Sequence, residues 1–173
     1  PEQYDANVKT KKESDALVEF AIKLPGKSHN SGPVYLPVDA KFPQEDYTRL
    51  QSAYESGDNK IIEASLRSLL GSIKKFARDI SERYVDPPHT TDFGIMFLPF
   101  EGLYAEVTRH PEIISLLQRE YKIIITGPTT LAAMLNSLQM GFKTLAIQKR
   151  SSEVWEILAS VKKEFSAFGT VLE

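Results

Sequence analysis

The sequence predicts an α/β fold with a mixed central sheet flanked by helices. Three observations predict it. The stretch "LVEFAIKL" (17–24) alternates apolar and polar residues, which is typical of a half-buried strand. The runs "DFGIMFLP" (92–99) and "KIIIT" (122–126) are almost continuously apolar, as expected for central strands buried on both faces. Segments of helical periodicity lie between these strands, and the order β-β-α-α-β-α-β-α-α indicates one domain around one sheet.

The composition is that of a globular protein and excludes several classes of site. The chain has 173 residues, of which 42% are hydrophobic and 25% charged, enough for a domain with a sizeable core. Its formal net charge of −2 means that nucleic-acid binding would need a local basic patch. There is no cysteine, and the three histidines (His29, His89 and His110) share no ligand spacing, which argues against zinc and thiol chemistry.

The N-terminal half is predicted to form an antiparallel hairpin. Residues 1–16 are polar and are interpreted as an irregular arm, so that the single domain would span 17–173. The strand 17–24 is followed by a loop rich in Pro, Gly, Asn and Ser (25–33) and by a second strand, 34–41. Two strands joined by a short loop are expected to pair antiparallel.

The remaining elements are mostly helices. Pro43 ends the second strand, and the sequence then predicts helices over 44–57, ended by Gly57, and over 59–84. One or two short helices are expected between the two apolar strands, with Pro111 at a restart. After the last strand we expect a helix from Pro128 to Gly141 and a final amphipathic helix over 152–168.

An acid and an amine lie two residues apart in the strand 34–41. Asp39 and Lys41 are expected on one face of that strand, because side chains two apart point the same way. Glu19 lies on the non-aliphatic face of the neighbouring hairpin strand, and the register decides whether it comes near Asp39. The sequence thus offers two carboxylates and an ammonium group for one patch of sheet.

This combination of groups suits metal-dependent phosphodiester hydrolysis. Mg²⁺ takes one or two carboxylates and completes its shell with water. A lysine beside the ion can orient and help to deprotonate a bound water, which then attacks phosphorus. The alternative interpretation is an internal salt bridge, or a strand end that has reached water.

Three further groups have both a functional and a structural interpretation. Glu101 follows a buried strand, either as an additional site acid or as an acid that stabilises a helix N-terminus. Thr129 and Thr130 open a helix, where they would either bind a phosphate or cap the helix. A third group shares one face of the long helix and would either follow a DNA backbone or form a solvated surface: Arg67, Lys74 and Arg78.

Five segments resemble, in order, the RmuC family of bacterial DNA recombination proteins. They are "PEQYDANV", "VEFAIKLPG", "LPVDAKFPQEDY", "MFLPFEGLYAEV" and "GPTTLAAMLNSL", and together they cover nearly the whole chain. The resemblance implies a nuclease with a restriction-endonuclease-like core of the PD-(D/E)xK type. The (D/E)-x-K motif falls on Asp39-Ala40-Lys41.

The earlier acid of that core is matched less closely. Glu19 is the best match, although the usual Pro-Asp pair is missing, and Ser14-Asp15 is the competing candidate. Some members of the wider fold add an acid from an N-terminal helix, a position open to Glu2 or Glu13.

The functional prediction is a DNA nuclease dependent on Mg²⁺ or Mn²⁺ and associated with DNA recombination. The alternative is a non-catalytic DNA- or partner-binding module that retains the nuclease fold.

The family resemblance also implies an N-terminal membrane segment and a long coiled coil. Neither is among these 173 residues, and the chain begins at Pro1, so we interpret it as an excised catalytic domain. No apolar run approaches the roughly 20 residues that span a bilayer, and we expect no membrane contact from this segment. A cytoplasmic location is expected, at the membrane face in the full-length protein.

Overall fold

The computed structural model describes residues 3–26 and 32–171, with the side chains of 146–153, 155–156 and 161–171 outside that description. The chain divides into two compact units, Pro1–Leu131 and Ala132–Glu173. The first unit contains every strand, and the second consists of the continuation of the last helix.

The first unit is built on a five-stranded mixed sheet in the order β1-β2-β3-β4-β5. The strands are β1 (Tyr4–Val8), β2 (Val18–Leu24), β3 (Val34–Ala40), β4 (Gly94–Phe97) and β5 (Ile123–Thr126). The pairs β1-β2 and β2-β3 are antiparallel, whereas β3-β4 and β4-β5 are parallel. The predicted mixed sheet and its antiparallel hairpin are therefore confirmed.

Strand β1 lies within the stretch predicted to be irregular, and that prediction is wrong for residues 4–8. The strand pairs Tyr4 with Ile22 and Val8 with Val18. It is a short edge strand in which polar residues alternate with a tyrosine and small apolar residues, so its composition resembles that of a loop. Its backbone hydrogen bonds to β2, rather than a hydrophobic pattern, fix its conformation.

Five helices complete the described structure: α1 (Gln44–Ser56), α2 (Asn59–Tyr84), α3 (Glu101–Thr108), α4 (Pro111–Glu120) and α5 (Pro128–Val171). Helix α1 ends at Gly57, whose φ of +69° is the left-handed conformation that favours glycine. Helix α2 begins after Asp58, whose carboxylate accepts hydrogen bonds from the N–H groups of Lys60 and Ile61. Pro111 opens α4, as predicted.

The predicted helix end at Gly141 and the new start near residue 152 are wrong, because α5 is a single helix of 44 residues. A glycine inside a helix costs about 1 kcal/mol relative to alanine but does not stop the helix by itself. A glycine ends a helix most readily in the left-handed conformation, and among the described glycines only Gly57 has a positive φ.

The hydrophobic core joins α2 to the parallel half of the sheet. Leu69, Ile73 and Ile80 of α2 are completely buried, as are Met96 of β4 and Ile123 of β5. This packing places α2 over the face of the sheet on which Asp39 and Lys41 lie, because the Lys41 ammonium approaches the ring of Phe76 in α2.

Candidate functional site

Asp39 is the most unusual side chain of the sheet, because it is a buried acid. It lies near the end of β3, beside Met96 of the parallel strand β4, and only 2% of it is exposed. Its Oδ2 atom lies 2.5 Å from Nζ of Lys41, yet it accepts no well-aligned hydrogen bond from the described residues. We interpret the contact as a close ion pair in which the Lys41 ammonium group is the partner of this oxygen.

The surroundings of Asp39 make its charged form costly. Burial raises the pKa of its carboxyl group, and the negative charge of Glu19 raises it further. Lys41 and, to a smaller extent, Arg83 lower the pKa, but the net direction is upward. A shifted carboxyl group among specific charged partners is typical of functional sites and also occurs in structural ion pairs.

Lys41 is positioned by the end of β3. Its backbone N–H donates to the carbonyl of Phe97 at 2.9 Å, which continues the parallel pairing one residue past the strand. Its Nζ lies 6.0 Å from the centre of the Phe76 ring, within the range of a cation–π contact. The Lys41 side chain is 28% exposed, and its ammonium group contacts Asp39.

Glu19 completes the patch from the neighbouring strand. The register of β2 and β3 pairs Phe20 with Val38, and extending it by one residue puts Glu19 opposite Asp39. Oε2 of Glu19 accepts a hydrogen bond from the Ala40 N–H at 3.2 Å. The three groups that the sequence singled out therefore lie together: Glu19, Asp39 and Lys41.

The competing acids are placed differently. Asp15 is exposed and pairs with Lys9 at 3.2 Å, and Glu13 is also exposed. Glu2 lies outside the described residues.

The oxygen atoms of this patch fit a hard dication. Asp39 supplies a buried carboxylate whose Oδ2 contacts the Lys41 ammonium group, and Glu19 supplies a second, exposed carboxylate. Across the part of the chain that the structure describes, no three His, Cys, Asp or Glu side chains cluster as a metal site. An ion here would have two protein carboxylates and otherwise water, a shell that Mg²⁺ accepts.

Glu101 caps a helix other than its own. It is the first residue of α3, and its Oε1 accepts a hydrogen bond from the Thr129 N–H at the start of α5, at 2.6 Å. This contact with Thr129 lowers the pKa of Glu101. Glu101 therefore accepts a hydrogen bond from an N-terminal N–H of α5. This is the structural interpretation given above, an acid that stabilises a helix N-terminus, although the helix is α5 and not α3.

The two threonines of α5 are engaged locally. Thr130 Oγ1 accepts from the Gly127 N–H at 2.7 Å and lies 3.1 Å from the Gly127 carbonyl, to which it donates. Because the Thr129 N–H already binds Glu101, a phosphate at this helix start would compete with a carboxylate for it.

The basic stripe predicted on α2 (Arg67, Lys74 and Arg78) points away from the acid–lysine patch, which is formed by Glu19, Asp39 and Lys41. Lys74 and Arg78 each lie two residues from Phe76, the residue that Lys41 approaches. Two residues correspond to about 200° around a helix, so these cations and Phe76 lie on opposite sides. Arg67, seven residues before Lys74, shares the cations' side.

Arg83 is the cation of α2 that the sequence did not single out. Its charge lowers the pKa of Asp39, and it follows Phe76 by seven residues, close to two helical turns. The spacing was visible in the sequence, but only the packing of α2 on β3 shows which side of the helix faces the acid.

The fold and this patch together define an α/β domain of the mixed-sheet class with a buried acid–lysine pair at the junction of its antiparallel and parallel halves. Within that class, the chain belongs to the RmuC family, whose model matches residues 1–173. The family resemblance noted from the five segments is thus confirmed.

Two curated relatives are similar to the chain over nearly its whole length. They are the proteins named "DNA recombination protein RmuC homolog" from Xylella fastidiosa strains Temecula1 and 9a5c, each 50% identical over 172 residues. The match covers 99% of this chain and 38% of each relative, so the chain spans about two-fifths of their length. No solved structure matches the chain. Among the described residues, no helix is both long and apolar enough to cross a membrane.

Proposed function

We propose that this domain serves DNA recombination by hydrolysing phosphodiester bonds of DNA with the help of Mg²⁺ or Mn²⁺. The names of the two Xylella relatives support the recombination role. The observation that carries the hydrolytic role is the buried Asp39 carboxylate, which contacts the Lys41 ammonium group and lies opposite Glu19 in the register of β2 and β3.

Each residue of the patch has a role in this proposal. Asp39 and Glu19 would hold the dication, which when bound lowers the pKa of water and stabilises negative charge on phosphate. Lys41 favours the ionised form of Asp39, since it lowers the pKa of that carboxyl group. The Lys41 side chain is partly exposed, and its ammonium group would orient a water molecule and stabilise the charge that develops during attack.

The sheet supports a restriction-endonuclease-like core as part of the same proposal. An antiparallel hairpin leads into the Asp-x-Lys strand, and parallel strands follow on the other side. The sequence predicted an antiparallel hairpin in a mixed sheet around the (D/E)-x-K motif, and this arrangement is consistent with that prediction.

A non-catalytic DNA- or partner-binding module is the second candidate, and a specific observation favours it. Asp39 and Lys41 already form a close ion pair, and the patch offers only two acids in the described part of the chain. A pair retained for structure alone would look the same.

Metal titration and cleavage assays on matched variants separate the two candidates. We expect Mn²⁺ to bind the wild type in a calorimetric titration and to lose affinity in Asp39→Ala and Glu19→Gln. Asp15→Ala is the control, because Asp15 is the competing acid and is exposed and paired with Lys9.

In a separate cleavage assay, the wild type and the variants are incubated with supercoiled plasmid, linear duplex or single-stranded circles in the presence of Mg²⁺ or Mn²⁺. Equal metal affinity in wild type and Asp39→Ala removes Asp39 as a ligand. A wild type that binds DNA but cuts none of these forms supports the binding module.

A further inference from the structure

A second cationic site lies between α1 and α2, away from the acid–lysine patch. A cavity of about 350 Å³ is lined by Arg49 of α1 and by Lys60, Ile61, Ala64 and Ser65 of α2. The cavity is largely open to solvent, so it suits one charged group at the surface rather than an enclosed small molecule.

The hydroxyl of Ser65 is the feature that points to a ligand. Ser65 is only 3% exposed, it lines the cavity, and it has no hydrogen bond to any residue that the structure describes. The serines one and two turns further along α2 behave differently, since Ser68 and Ser72 donate to Asp46 of α1 at 2.7 and 2.6 Å. The Ser65 hydroxyl is not one of the fully buried atoms without a partner among the described residues, so it is reachable from the cavity and can donate to a ligand there.

The charged side chains that line the cavity are both cationic, Arg49 and Lys60. Arg49 is 57% exposed and makes only a loose contact of 3.7 Å with Asp46, whose carboxylate is occupied by the two serines. Lys60 forms no ion pair with any described residue. Two arginine or lysine side chains and one hydroxyl are a typical donor set for a phosphate group.

Acidic groups nearby do not fill the cavity. Asp58 directs its carboxylate to the backbone N–H groups of Lys60 and Ile61, at 2.8 and 3.4 Å. These N–H groups are therefore not free for a ligand, and side chains would hold the anion. Glu63, one turn after Lys60, is exposed and does not line the cavity.

We propose that this cavity binds a phosphate group through Arg49, Lys60 and Ser65, with Ile61 and Ala64 contacting the organic part of the ligand. Assigning the phosphate to a nucleic-acid strand rests on the proposed function. Ser65 and Phe76 are 11 residues apart, about three helical turns and 16 Å. The cavity and the Lys41 contact thus lie on the same side of α2, separated by about five nucleotides at 3.4 Å each.

Binding of inorganic phosphate tests the cavity without any DNA. Amide shifts of residues 60–66 are followed by NMR while phosphate replaces chloride at constant ionic strength. We expect saturable shifts in the wild type, at least about tenfold weaker binding in Arg49→Gln/Lys60→Gln and a smaller loss in Ser65→Ala. Arg119→Gln and Ser137→Ala are the controls, because both residues lie on exposed helix positions outside the cavity. No saturable shift in the wild type, or equal binding in the double variant, overturns the proposal.

Oligonucleotides then distinguish a strand from a free phosphorylated molecule. Anisotropy is measured without divalent ions for single-stranded probes of 4 and 12 nucleotides. If the phosphate belongs to a strand, the double variant weakens binding of the longer probe, and its salt slope falls by about 0.7 for each lost contact. Inorganic phosphate binding with unchanged 12-nucleotide binding supports the phosphate site but overturns its assignment to a strand. A wild type that binds phosphate here but cuts no DNA contradicts the proposed hydrolysis and leaves the cavity proposal standing.

Discussion

The Asp39 side chain combines two requirements that conflict in most proteins, burial and charge. Its carboxylate is only 2% exposed, its pKa is raised chiefly by burial, and its one close cation is partly solvated. Such a cost occurs both at functional sites and in structural ion pairs, so variants of this residue and of its partner have to distinguish the two.

Replacing Asp39 by Asn should therefore leave the domain as stable as the wild type at pH 7, or more stable by up to about 2 kcal/mol. Lys41 loses its partner but can turn to solvent, since its side chain is 28% exposed. Urea unfolding of both proteins measures the difference.

The pH dependence of that difference has a defined sign. A carboxyl group with a raised pKa in the folded state stabilises the protein below its unfolded pKa, and this stability is lost as pH rises through the folded pKa. The wild type should lose stability relative to Asp39→Asn as the pH rises above the ordinary carboxyl pKa of 3.8 and through the raised folded-state pKa. If the difference in unfolding free energy between the two proteins does not change with pH, burial does not disfavour the ionised form of Asp39.

Replacing Lys41 distinguishes a catalytic role of this residue from a structural ion pair with Asp39. If Lys41 acts on the attacking water, Lys41→Ala should lower turnover by about 10²–10⁴-fold while DNA affinity and most stability remain. Lys41→Met is the companion variant, because it keeps much of the apolar stem that packs near Phe76. A destabilisation of about 3–5 kcal/mol, combined with a wild type that cuts no DNA, would instead assign Lys41 to a structural ion pair.

At the scale of the elements, two glycines that look alike in the sequence have different roles. Gly57 ends α1 with a φ of +69°, whereas Gly141 lies inside α5 with open space around its Cβ position. Gly57→Ala should destabilise the protein by about 1 kcal/mol because alanine is strained there. Gly141→Ala should raise helicity and stability by a similar amount. Circular dichroism and thermal melting of the two variants measure this, and a destabilising Gly141→Ala would mean that α5 ends there.

The start of α5 depends on an acid from α3. Glu101→Ala removes the acceptor of the Thr129 N–H, so the hydrogen-exchange protection of that amide should fall. The pKa of Glu101 is lowered by Thr129, so its stabilising effect is present above the unfolded pKa and is lost as pH falls through the folded value. Protection of Thr129 should therefore decline with acid in the wild type and not in the variant. Glu112→Ala, which removes a first-turn acid of α4, should leave Thr129 unaffected.

At the scale of the whole molecule, the hydrophobic core belongs to the first unit. Every residue of the buried cluster lies between Val18 and Ile125, inside the unit Pro1–Leu131. We expect a fragment of residues 1–140, which keeps the first turns of α5, to unfold cooperatively with an amide spectrum close to that of the full chain over residues 3–26 and 32–125. A fragment without a cooperative transition would show that this core needs the second unit.

The hairpin and the central strands could be predicted from the sequence, because their signals are local. Alternation at 17–24, the apolar runs before Pro99 and Gly127, and the turn-forming loop between β2 and β3 are each contained in a few neighbouring residues. The pairing of Asp39 with Lys41 was also available, since side chains two apart on a strand share a face. Only the contact between Glu19 and the Asp39 strand depended on the register of β2 and β3, and a hairpin permits few registers.

The rest was decided by contacts between residues far apart in the chain. Glu101 meets Thr129 across 28 positions, and the polar strand β1 exists because β2 offers it hydrogen bonds. The sequence shows a basic stripe on α2 but not its orientation, which the packing of Phe76 near Lys41 turns away from the acids. The sequence by itself determined the strands β2 to β5 and the acid–lysine pair, because periodicity and spacing are local properties. The tertiary structure alone decided the burial of Asp39, the choice of Arg83 over the predicted cations and the open hydroxyl of Ser65, because solvent exposure depends on what other elements cover.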